Sequence, residues 1–175
     1  MWLSAPAAAR HSLRVEWICG DVVISTDLER IDLDVVHRFL SEDSYWARGV
    51  ARERLERALR HSLCFGVYRG ERQIGFGRVI TDRATFAYLA DVFLLEGERG
   101  RGLGRWLIEV IRAHPELAGL RRWMLATRDA HPFYEQLGWR VPERADLFME
   151  IVRPSAAEPD AVDAAPPQPR VLPAK

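Results

Sequence analysis

The residues best placed to do chemistry in this chain run Arg99-Gly100-Arg101-Gly102-Leu103-Gly104-Arg105. Glycines alternate with larger residues, arginines flank them, and an apolar run follows directly. The first N–H groups of a helix have no intrahelical partner and carry the positive end of its dipole. Glycines ahead of them let anionic oxygens approach the backbone, and arginines add charge at the rim. The stretch therefore reads either as a plain left-handed turn into a helix or as a phosphate cradle. The dinucleotide pattern G-x-G-x-x-G fails at Arg105, and no G-K-[S/T] follows to make a P-loop.

Asp91 is the second chemically marked position. It interrupts the apolar run from Tyr88 to Leu95, where a strand covered on both faces should carry no charge. A carboxylate there needs partners or a raised pKa. It reads as a general base, as a site for a cationic acceptor, or as one half of an ion pair with a nearby arginine. Cys19 and Cys64 have no metal-ligand spacing and no motif of a nucleophile. Both lie in apolar runs and read as buried free thiols, which suits a reducing, cytoplasmic setting. His114, near a helix end, reads as a capping cation, and His131, beside Pro132, as a structural helix-surface residue or a proton shuttle.

These residues need a frame. "LRVEWICG" and "DVVIST" read as strands turned at Gly20-Asp21, and "LCFGVYRGERQIGFGRVITD" as a hairpin turned between Arg69 and Arg72. "TFAYLADVFLL" reads as a central strand covered on both faces. Leu33, Val36, Phe39 and Leu40 recur at helical spacing, and "RERLERALRHS" forms a second helix. Leu103, Trp106, Leu107, Val110 and Ile111 make one face of an amphipathic helix that ends before Pro115. "LRRWMLAT" reads as a strand. "DAHPFYEQLG" reads as a short helix capped by Asp129 and ended by Gly138, and "LFMEIV" as a last strand. Residues 1–12 read as a flexible arm, 13–152 as one domain, and 153–175 as a disordered Pro/Ala-rich tail.

Composition narrows the function classes. With 48% hydrophobic and 29% charged residues, the chain looks like an ordinary globular protein. Its formal net charge of zero gives no field to draw nucleic acid or an anionic membrane. No apolar run is long enough for a membrane span. Lysine occurs only at Lys175 and asparagine not at all, so the abundance of arginine is a compositional bias. Only the position of an arginine carries meaning.

The glycine stretch fits [Q/R]-x-x-G-x-[G/A], with a strand-like run before it and an amphipathic helix after it. Further on, Phe133-Tyr134-Glu135-Gln136-Leu137-Gly138-Trp139 is similar to the "YEKLGF" segment near the end of the same fold. On these motifs and on the order of elements, residues from Val22 to Val152 resemble the GCN5-related N-acetyltransferase (GNAT) superfamily. The resemblance implies an α/β fold with a mixed, mostly antiparallel central sheet flanked by helices. It implies acetyl transfer from acetyl-CoA to a primary amine by direct attack in a ternary complex, without a metal.

Except for the base, which no motif carries over and for which Asp91 is a candidate on its own chemistry, the residue roles follow by position in those motifs. Phe93, Leu94 and Leu95 match the splayed strand that bonds the pantetheine arm. Arg99, Gly100, Arg101, Gly102, Leu103, Gly104 and Arg105 match the pyrophosphate loop. Tyr134 matches the tyrosine that faces the coenzyme sulfur, and Asp91 is the candidate base. Thr127 stands where many members carry an asparagine on the coenzyme arm. Tyr45 and Trp46 lie in the loop that often lines the acceptor site. The acceptor stays open between a small molecule and a protein amine, and a homodimer is compatible with the family. A non-catalytic acyl-CoA-binding module and a longer-chain acyltransferase are the rival readings.

Overall fold

A single sheet organises the fold, and its strands follow chain order. They are β1 (Glu16–Cys19), β2 (Val22–Ser25), β3 (Leu63–Arg69), β4 (Arg72–Thr81), β5 (Phe86–Leu94) and β6 (Arg122–Met124). The structure, a computed structural model, describes residues 13–151. The arm at 1–12 and the tail from 153 lie outside the described residues. Successive strands pair antiparallel as far as β5, and β6 joins β5 in parallel. The sheet is therefore mixed and mostly antiparallel. Both expected hairpins form: Cys19 pairs with Val22 across Gly20-Asp21, and Arg69 pairs with Arg72.

Helices cover both faces. α1 (Leu33–Arg38) and α2 (Arg52–Arg60) bury Val36, Leu55 and Leu59 against Cys64, Phe76 and Phe93. α3 (Leu103–Arg112) buries Leu107, Ile108, Val110 and Ile111 against Phe65, Val67, Val79 and Leu89. The alternation of Cys64 and Phe65 between the two cores is the period-two geometry of a strand covered on both sides. α4 (His131–Glu135) is a short helix whose Phe133 and Tyr134 pack against the α3 core.

The strands buried throughout are β3 and most of β4. β5 was expected to be covered on both faces, but it is only half-buried, because part of its apolar surface lines a cleft. Asp129 does not cap α4. The cap is Ala130, whose N–H donates to the Thr127 hydroxyl at 3.1 Å. Gly138 does end the segment, in the left-handed conformation at φ 84°.

Cys19 is exposed on edge strand β1, contrary to the expectation of two buried thiols. Cys64 is buried, and burial pushes its thiol up to about 12. His114 is fully buried and accepts the Glu116 N–H on Nδ1, so it caps a 3₁₀ turn as a neutral ring. Burial holds its pKa below the ordinary histidine value, in line with an Nδ1 that accepts and against the expected cation.

Among the described residues, those through Trp139 form one compact unit, and those from Arg140 to Ile151 belong to a second. In the second unit, the Arg144 guanidinium grips the Asp146 carboxylate. The expected strand "LFMEIV" does not form over its described residues, Leu147 to Ile151. A 3₁₀ turn spans Ala145–Leu147, and Leu147, Met149 and Ile151 are exposed.

Candidate active site

The site begins with a defect in the sheet. β5 pairs with β6 only from Phe86 to Tyr88, after which the two strands part. On its other side, β5 carries a bulge against β4: the register jumps between Phe76↔Phe93 and Arg78↔Ala90. Asp91 sits in this bulge at φ 53°, a left-handed conformation that aspartate tolerates better than most residues. Bulge and splay together open a cleft of about 730 Å³ lined by every β5 residue from Tyr88 to Leu94. Six strand steps give it a length of about 20 Å.

At one end lies the glycine loop. Gly100 and Gly102 adopt φ 74° and 79°. Gly102 caps α3 with no side-chain hydrogen bond, and no acidic residue occupies the first turn. The first N–H groups of α3 are thus left for a ligand, with Arg99, Arg101 and Arg105 exposed around them. Arg99 Nε donates to the Leu94 carbonyl at 2.9 Å, which ties the loop to the end of β5. The Leu95 N–H is already committed to the Ile74 carbonyl. Leu103 is half-buried, and Gly104 lies in van der Waals reach of Leu94 and Phe133.

Across the cleft stands Tyr134, held between Phe133 and Trp139 in edge-to-face contacts of 5.0 and 5.9 Å. Its hydroxyl has no hydrogen-bond partner among the described residues. Burial, and to a lesser extent Tyr45, push it up to about 12. It is a phenol that stays protonated and is free to donate. Thr127 lines the same wall, with its hydroxyl oxygen accepting from the α4 cap.

The other wall is aromatic. Past α1, the chain winds into a π-helical turn, Phe39–Asp43, a local distortion common at functional sites. Phe39 stacks on Phe93 at 3.8 Å, and Tyr45 meets Trp46 edge-on at 5.0 Å. The Tyr45 hydroxyl accepts the Arg128 backbone N–H at 2.8 Å, and the Arg128 guanidinium lies 3.9 Å from its ring centre. Tyr45 thereby spans from one wall to the other. The Trp46 indole N–H donates to one Asp91 oxygen at 3.1 Å, and Arg78 Nε donates to the other at 2.6 Å. Arg78 also reaches the Ser62 hydroxyl. Asp91 is therefore the paired carboxylate of the three readings, and it also borders the cleft with lone pairs to spare.

Of the candidate site residues, Tyr45, Trp46, Asp91, Phe93, Leu94, Arg99, Thr127 and Tyr134 border this cleft, whereas Leu95 and the stretch from Gly100 to Arg105 do not line it. Sequence reasoning missed Phe39, Asp43, Arg78 and Tyr88. Arg78 carried a usable signal, since it interrupts one apolar strand just as Asp91 interrupts its neighbour. Phe39 and Tyr88 looked like core. Asp43 closes the π turn, and its carboxylate makes no hydrogen bond or ion pair among the described residues. No group of three His, Cys, Asp or Glu among the described residues is arranged to hold a metal ion.

A strand that splays from its neighbour, a glycine loop, an uncapped helix behind it and a buried phenol lie together in this α/β protein. The family profile "Acetyltransferase (GNAT) domain" matches residues 60–141. A protein of Gibberella zeae, named as an acetyltransferase, is 36% identical over 147 residues, covering 71% of this chain and 82% of its own. A crystal structure from Xanthomonas campestris pv. campestris, described as an acetyltransferase of the GNAT family, superposes with a TM-score of 0.74. It has 47% sequence identity and covers 76% of this chain and 94% of its own. Another, from Deinococcus radiodurans R1 and also described as an acetyltransferase, gives a TM-score of 0.60 at 25% identity, covering 77% and 89%. The chain belongs to the GNAT acetyltransferase family, and acyl transfer is its general chemistry.

Proposed function

We propose that this protein transfers the acetyl group of acetyl-CoA to a primary amine by direct attack within a ternary complex. The observation that carries this reading is the juxtaposition of an unbonded, protonated Tyr134 hydroxyl with the bulged, unpaired stretch of β5, in one cleft that leads to the uncapped end of α3. In this reading the N–H groups at the start of α3, with Arg99, Arg101 and Arg105, hold the pyrophosphate. The backbone of Val92 and Phe93 on the side that no strand covers takes the pantetheine arm as a strand would, next to the Leu94 carbonyl that Arg99 holds.

The amine nitrogen bonds to the thioester carbonyl carbon, and the C–S bond breaks. The leaving sulfur departs as a thiolate of ordinary pKa about 8.5 unless a proton reaches it. Tyr134 donates that proton or a hydrogen bond to it, because burial keeps the phenol protonated well beyond neutral pH. The proton that leaves the amine goes to Asp91 or, through water, to solvent. Bonds from Arg78 and Trp46 hold the Asp91 carboxylate in place at this point. The same contacts hold the bulge and the Tyr45–Trp46 loop in register with the reacting atoms.

Two measurements test this. Calorimetry should detect CoA binding to the full chain, and an amine panel followed by free-thiol detection should reveal acceptor-dependent release of CoA. CoA binding with no acceptor-dependent thiol release would favour a non-catalytic acyl-CoA module.

A further inference from the structure

The acceptor end of the cleft has a definite chemical character. Tyr45, Trp46 and Ile80 are 39%, 44% and 44% exposed, unusually open for large apolar side chains, and all three border the cleft. Ile80 pairs across the strands with Tyr88, which continues the apolar wall along the floor. A cluster of exposed apolar side chains at the mouth of a cavity marks a surface that a ligand covers.

Charge at this end is one-sided. The cleft is bordered by Asp43, Asp91 and Asp129 against Arg78 and Arg99. Arg78 is committed to Asp91 at 2.6 Å, and Arg99 is tied to the coenzyme end through the Leu94 carbonyl. Asp129 has Arg128 nearby, at 3.7 Å. Asp43 has no counter-ion among the described residues, and it sits at the end of the π turn, four residues after Phe39 on the same wall. Among the described residues that border the cleft, the acceptor end thus offers aromatic faces, one uncommitted carboxylate and no uncommitted cation.

We propose that the acceptor is a carboxylate-free cationic amine with an apolar body, an alkyl- or arylalkylamine, and that Asp43 is the residue that reads its charge. This deepens the transferase reading and rests on it. The apolar body lies between Tyr45, Trp46 and Tyr88, where aromatic faces also favour cations. A carboxylate on the same acceptor finds no free cation to pair with and meets Asp43 instead. Free α-amino acids are therefore disfavoured, and so are acceptors with acidic groups beside the amine.

The experiment compares phenethylamine with phenylalanine, which share a body and a reacting amine and differ by one carboxylate. Phenethylamine should be preferred by at least about fivefold in kcat/KM, the scale of one partly solvated charge pair. Its more basic amine biases the comparison the other way. Asp43→Asn should shrink that preference by about the same factor, mainly through KM for phenethylamine. The exposed, unpaired Asp43 gives the fold nothing to lose. Equal or better use of phenylalanine would overturn the proposal. So would a preference unchanged in Asp43→Asn, or failure to turn over either compound by a protein that binds CoA. Absence of CoA binding would remove the transferase reading itself, and this proposal with it.

Discussion

Replacing Asp91 by asparagine isolates the charge at the bulge. Asparagine tolerates the left-handed conformation about as well as aspartate, so the φ of 53° adds no new strain. Its amide oxygen can still accept the Trp46 indole N–H. What disappears is the negative charge facing Arg78. The two side chains are only 9% and 14% exposed, so Arg78 is left as a buried cation with the Ser62 hydroxyl for company. Breaking one side of a buried pair costs roughly 3–5 kcal/mol. The remaining bond to Ser62 and the open cleft place this site at the lower end, about 3 kcal/mol. For a domain of this size that is a fall in Tm of about 10 °C. The double variant Arg78→Met, Asp91→Asn should recover most of it, because it leaves no uncompensated buried charge. Thermal and chemical denaturation of the four members of this cycle measures the coupling directly. A loss below about 1 kcal/mol in Asp91→Asn would refute the reasoning. So would a double variant no more stable than the single one, which would mean that the pair is solvated and does not hold the bulge.

Tyr134→Phe keeps the ring contacts to Phe133 and Trp139 and removes only the hydroxyl, so CoA affinity should stay nearly unchanged while kcat falls by roughly 10²- to 10³-fold. Full turnover on a confirmed acceptor would assign protonation of the sulfur to solvent. Gly102→Asp should abolish CoA binding by calorimetry, whereas Gly119→Asp, at a similar φ of 77° away from the cleft, should show the same backbone strain but normal affinity. The buried His114 has a pKa lowered by desolvation, so below about pH 6.5 the unfolded chain takes up its proton first. Stability should fall as pH drops from 7 to 5, and His114→Phe should flatten that dependence in a Tm-against-pH series.

Much of the site was legible because it rests on local rules. Gly100, Gly102 and the period of α3 declare a strand–loop–helix junction, and Tyr134 lies in a short motif that needs no knowledge of its neighbours. The hairpins at Gly20-Asp21 and Arg69–Arg72 likewise follow from turn chemistry. What escaped depends on contacts between distant segments. The pairing of Asp91 with Arg78 was only one of three readings, because it depends on a bulge that no single strand announces. The covering of β5 was misjudged for the same reason: apolar residues that line a cleft and those that fill a core look alike in sequence. Asp129 had the right residue type for a cap and lost the place to Ala130, whose N–H is held by the Thr127 hydroxyl. "LFMEIV" has the apolar content of a strand but forms none among the described residues. Propensity alone does not supply a partner edge.

The parting of β5 from β6 has a consequence for endurance as well as for chemistry. From Leu89 onward, the peptide groups of β5 that face β6 have no strand to bond, so their amides should exchange hydrogen with solvent faster than those facing β4. A pantetheine arm laid along them would complete the ladder. Protection on adding CoA should then appear first between Leu89 and Leu94, before any change at β3 or α3. The binding energy adds to the fold, about 2.7 kcal/mol at a hundredfold excess over Kd. The half-life of this protein against heat or proteolysis would thus follow the level of acyl-CoA around it.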